Sequence, residues 1–86
     1  MTKEQMQTTG YHGALFDCYH LLRNYADKVE DTETFWNSAA QEAFSISQRY
    51  AGTAVSGLAN SLLSAVWDEL KAVRDRNAEA QNPFLS

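Results

Sequence analysis

Apolar residues recur along most of the chain with the period of an α-helix, and no segment alternates apolar and polar residues long enough to mark a strand. The clearest stretch is 54–80, where Val55, Ala59, Leu62, Val66, Leu70 and Val73 fall on one face at roughly 100° per residue. A second stripe, Leu63, Trp67, Lys71 and Arg74, runs beside it about a third of a turn away. Nearer the amino terminus, Tyr11, Leu15, Cys18, Leu22, Tyr25 and Val29 step by alternating fours and threes, a heptad seam of the kind that closes nearly antiparallel helices in bundles. Phe16, His20 and Arg23 lie off that seam. Between these stretches, Phe35, Trp36, Ala39, Ala40, Ala43, Ile46, Ser47 and Tyr50 cover a broad arc with a small middle and large ends, so another helix can approach closely at the alanines.

Local signals divide the pattern into helices at about 9–30, 33–51 and 54–80. Thr8 or Thr9 can cap the first. Asp31-Thr32-Glu33-Thr34 offers adjacent caps for the second and an acidic first turn, which the helix dipole favours. Gly52 suits the left-handed position after a helix, and Thr53 can cap the third helix with Ser56 at its N3 position. The alternative is one helix through 33–80, since an interior glycine costs only about 1 kcal/mol against alanine. Asn82-Pro83 ends the pattern, with Phe84-Leu85-Ser86 as a tail. The expected fold is all-α: a compact up-down-up three-helix bundle forming a single domain over 1–86, with short flexible ends at about 1–8 and 81–86.

A chain of 86 residues buries only roughly 60 to 65% of the surface it exposes when unfolded, so self-association would help it. A lone cysteine forms no internal disulfide, and the sequence has no apolar run long enough for a membrane span or signal peptide. A cytoplasmic location is expected. Net charge is −4 and uneven: up to Ala43 there are three basic residues against seven acidic, and four against four thereafter. Without clustered Lys and Arg the chain does not fit a nucleic-acid backbone. The acidic group Asp27, Glu30, Asp31 and Glu33 reads as a solvated turn, with imitation of nucleic acid toward a basic partner as the alternative.

Catalytic chemistry is not indicated. Of His12, Asp17, Cys18 and His20, only Asp17 and His20 have the i, i+3 spacing of facing ligands, an incomplete metal set, so no metal or cofactor is expected. Cys18 sits in the seam among Leu15, Leu22 and Tyr25, which predicts a buried structural thiol. The serines lie in no nucleophile elbow, and no glycine-rich phosphate loop is present. Interaction surfaces are the better candidates. Phe16, His20 and Arg23 form one; Leu63, Trp67, Lys71 and Arg74 form another, unless the bundle wraps widely enough for Trp67 to be core beside a snorkelling Lys71. Arg23 with Arg49 and Tyr50 could hold a small anionic ligand such as a nucleotide, provided they converge across an interface.

Two resemblances bear on function. Trp36-Asn37-Ser38-Ala39-Ala40, with Phe44 eight residues after the tryptophan, resembles the centre of the small secreted helical hairpins named for a Trp-X-Gly turn. It implies a secreted hairpin dimer, but Ser38 replaces the glycine, Trp36 falls inside a predicted helix, and the tyrosine-and-acid export signal is missing from the sequence. Asp17-Cys18-Tyr19 and Leu21-Leu22-Arg23-Asn24-Tyr25-Ala26, followed by Phe35-Trp36, are similar to stretches of small acidic helical proteins encoded by phages and mobile elements of Gram-positive bacteria. That similarity implies a protein that works by binding, to block or sequester a host component. The expected function is thus a non-catalytic interaction or inhibitor protein that self-associates. An oligomer sequestering an anionic ligand is the alternative from a different class.

Overall fold

The computed structural model describes residues 1–81, and these are helical apart from short connections. All-α holds, but there are four helices: α1 (Lys3–Thr9), α2 (Tyr11–Ala26), α3 (Glu33–Tyr50) and α4 (Ser56–Gln81). The expected stop at Asn82-Pro83 and the tail Phe84-Leu85-Ser86 lie outside the described residues.

The additional helix arises from two local features. Thr2 and Gln5 close a capping box, in which the Gln5 N–H donates to Thr2 Oγ1 at 3.1 Å and the Thr2 N–H donates to Gln5 Oε1 at 2.8 Å. Gly10, at φ 90°, then ends α1 in the left-handed conformation, and α2 starts at the next residue. Thr8 and Thr9 therefore cap nothing. Their hydroxyls donate backwards to the carbonyls of Glu4 and Gln5.

The other junctions are closer to expectation. Thr32 caps α3 by accepting from the Phe35 N–H at 3.2 Å. α2 stops at Ala26 rather than near Glu30, which lets Val29 pack against the core from the connecting loop. Gly52, at φ 76°, breaks the chain after α3, so the continuous 33–80 helix is not formed. Thr53 does not cap α4, because its hydroxyl donates to the Tyr50 carbonyl at 2.6 Å and so closes the end of α3. Buried Val55 instead precedes the first turn of α4, its carbonyl accepting from the Ala59 N–H at 2.9 Å.

The molecule measures 51 × 24 × 18 Å; α2, α3 and α4 pack pairwise on one another, and α1 packs on α2 alone among the helices. α4 packs most extensively on α2. One core cluster gathers Cys18, Leu21, Ala39, Ile46, Leu63, Val66 and Leu70; a smaller one holds Ala14, Val55 and Ala59. On α2 the buried residues are Ala14, Cys18 and Leu21, with half-buried Tyr11 and Tyr25 continuing their line, which is rotated from the expected seam, so that Leu22 is only half-buried and Leu15 is 43% exposed. Small residues explain the rotation. Ala14 packs with Ala59 and Val55 of the opposing segment, and Gly13 leaves room for the ring of Tyr50. A Cβ on Gly13 would stand 2.8 Å from the Tyr50 hydroxyl oxygen.

Candidate protein-contact surfaces

Rotating α2 inward along Ala14 and Leu21 turns a second stripe outward. His12, Phe16, Tyr19 and Arg23 step by four, three and four, centred roughly 150° around the helix from the buried line. Phe16 is 52% and Tyr19 56% exposed, with Leu15 at their flank. The aromatic rings contact one another along the stripe: His12 stacks on Phe16 at 6.0 Å between centroids, His20 meets the edge of Phe16 at 4.4 Å, and Tyr19 meets His20 at 5.6 Å. Stacked and edge-to-face arrangements of this kind are the favoured geometries of aromatic pairs. Arg23, at the carboxy-terminal end, has no ion-pair partner among the described residues. Leu15, Phe16 and Tyr19 thus form a row of large, exposed apolar side chains on the outside of a folded helix, the feature that contiguous contact patches are built from.

Phe16, His20 and Arg23 were legible as off-seam residues; His12, Leu15 and Tyr19 were not joined to them. The missed signal is the four-three-four spacing, a second heptad line on the same helix.

The stripe on α4 has a different environment. Leu63 is 9% exposed and belongs to the core cluster, and Trp67 packs against that cluster from its edge. The Trp67 ring meets Trp36 of α3 at 5.3 Å, edge to face, and the guanidinium of Arg74 lies 5.4 Å over the Trp36 ring. Lys71 pairs with Asp68 at 3.5 Å and Arg74 with Asp75 at 3.2 Å. What remains open of this stripe is a shallow groove along Ala43, Leu63 and Trp67. The buried Nε1–H of Trp36 has no acceptor among the described residues. Phe44, 65% exposed, lies on the outside of α3, off the apolar arc that the spacing marks on this helix.

Within the chain, the three residues considered for an anionic ligand do not converge. Arg49 and Tyr50 both donate to Asp17 Oδ2, at 2.7 and 2.6 Å, so their hydrogen-bonding capacity is directed at a carboxylate. Glu42 lines the same groove between α2 and α3, whereas Arg23 lies on the outward stripe. The Tyr50 hydroxyl is pushed above its usual pKa by burial first and by the Asp17 carboxylate second. Asp17 also raises the Arg49 guanidinium, chiefly through the hydrogen bond. This trio ties α2 to α3 and presents little positive charge to a ligand.

Cys18 is buried, and burial pushes its thiol up, with Asp17 adding to the effect. That is the opposite of what a nucleophile requires. No group of three or more His, Cys, Asp or Glu side chains among the described residues is placed to hold a metal ion. No helix among them is long and apolar enough to cross a membrane. Asp27, Glu30, Asp31 and Glu33 are exposed around the α2–α3 connection. No protein-family model, curated protein or solved structure matches the chain.

Proposed function

We propose that the protein is a non-catalytic helical interaction protein, acting by binding another protein through the outward face of α2. The observation that carries this reading is the exposed run of Leu15, Phe16 and Tyr19 on a helix whose opposite side is already committed to the core. Aromatic residues beside an arginine are the composition of binding hot spots, and the ring contacts around Phe16 reduce the entropy lost on docking. The likeness to small phage and mobile-element proteins supports the inhibitor form of this function, in which a host component is blocked or sequestered in the cytoplasm. Anion sequestration is the weaker reading, because Asp17 engages Arg49 and Tyr50.

The test is site-specific photo-crosslinking in the source cells. A photoreactive residue in place of Phe16 should give a discrete protein adduct, and the same residue in place of exposed Ser61 on α4 should not. Absence of any adduct from position 16, or the same adducts from both positions, contradicts the proposal.

A further inference from the structure

We infer that the cavity between the end of α2 and the start of α3 is a binding site for an organic cation, an alkylammonium or alkylguanidinium group. The site is distinct from the outward stripe of α2 and stands independently of the function read from that stripe. The cavity measures about 460 Å³, within the range of small-ligand sites. Half-buried Tyr25 and Phe35 form its aromatic side, their rings meeting edge to face at 5.5 Å between centroids. Glu30, Glu42 and Lys28 supply its charges, and none of the three forms an ion pair among the described residues.

Two features of the lining select a positive guest. Aromatic rings present negative faces, which attract an ammonium or guanidinium group and repel an anion. The two carboxylates also outnumber the one ammonium, and exposed Asp27, Asp31 and Glu33 add negative charge around the same connection. Ring and carboxylate stand together: burial first, and the Glu42 carboxylate second, push the Tyr25 hydroxyl above its usual pKa. A cation placed between Glu42 and the rings therefore meets an ion pair and a π-system at once. Lys28 opposes such a guest, whereas it would assist an anion or a zwitterion. The cavity is open to solvent, so the affinity is modest.

The experiment is a chemical-shift titration of the isotope-labelled full chain, with circular dichroism on every variant. Butylammonium and ethylguanidinium should each shift the amides of Tyr25, Phe35 and Glu42 along a saturating curve, and propionate should not. Glu42→Gln should weaken either cation about fivefold and Phe35→Leu about threefold, while Lys28→Gln should tighten it about twofold. Glu4→Gln, which removes the same charge from α1, should change nothing. Shifts that never saturate, shifts spread alike over all the acidic residues, indifference to Glu42→Gln, or weaker binding by Lys28→Gln overturns the inference. Two further probes identify the source of the guest. Spermidine binding tighter than N-acetyl-lysine methylamide assigns the site to a free polyamine, and the reverse order assigns it to a basic side chain of a partner protein.

Discussion

The outward stripe of α2 and the second stripe of α4 look alike as sequence: each places an aromatic residue and an arginine beside an apolar line. In the folded chain they part. Trp67 finds Trp36 of α3 across from it and joins the edge of the core, while the rings paired with Phe16 are His12 and His20 of its own helix. An off-line aromatic becomes core when a neighbouring helix offers a ring or hollow to receive it, and remains surface otherwise. Helical phase can be read from one segment. The neighbour cannot.

The largest expected effect checks which line of α2 is inside. Leu21 is 3% exposed and Leu22 half-buried, so Leu21→Ala should cost about 3 kcal/mol and Leu22→Ala markedly less, compared by chemical denaturation. Equal costs would mean that α2 is not rotated, and the outward stripe would lose its basis.

Gly13→Ala comes next. Its new methyl group must displace the Tyr50 hydroxyl, loosening Tyr50 from Asp17, a loss that alanine's roughly 1 kcal/mol better helix propensity offsets in part, so the net destabilisation should stay within about 1 kcal/mol. Adding Tyr50→Phe should recover part of the loss, because the atom that clashes is then gone. Thermal melts of the single and double variants settle the point.

A smaller effect appears in alkali. Tyr25 and Tyr50 both have raised pKa values, in each case chiefly from burial, with Glu42 and Asp17 contributing in turn. The unfolded chain therefore gives up these protons first. The stabilisation is complete below the unfolded value of 10.0 and is lost as pH rises through the folded values, so stability should fall with pH above that point. Replacing both tyrosines with phenylalanine should flatten the decline.

Legibility followed the range of the interactions involved. Gly52 and the Thr32 cap depend on a few adjacent residues and were readable directly, as was helical periodicity. The α1–α2 break was not, because Thr8 and Thr9 carry the same capping signal as Thr2 while only Gly10 sets the left-handed turn. The rotation of α2 was hidden for another reason. Leu15 and Leu22 are larger and more apolar than Ala14, yet close approach at Ala14 and Gly13 decides which side faces α4 and α3. Of the proposed contact residues, Phe16, His20 and Arg23 could be picked out from spacing alone. Leu63 could not be excluded until α3 stood beside it.

The most direct measurement sets Trp67→Ala beside Phe16→Ala, each followed by thermal melting. Trp67→Ala should lower stability by about 3 kcal/mol, as loss of a packed tryptophan does, whereas Phe16→Ala should leave stability within about 0.5 kcal/mol. A reversed outcome, with Phe16 required for the fold and Trp67 dispensable to it, would contradict the division of these two helices into a core stripe and a contact stripe.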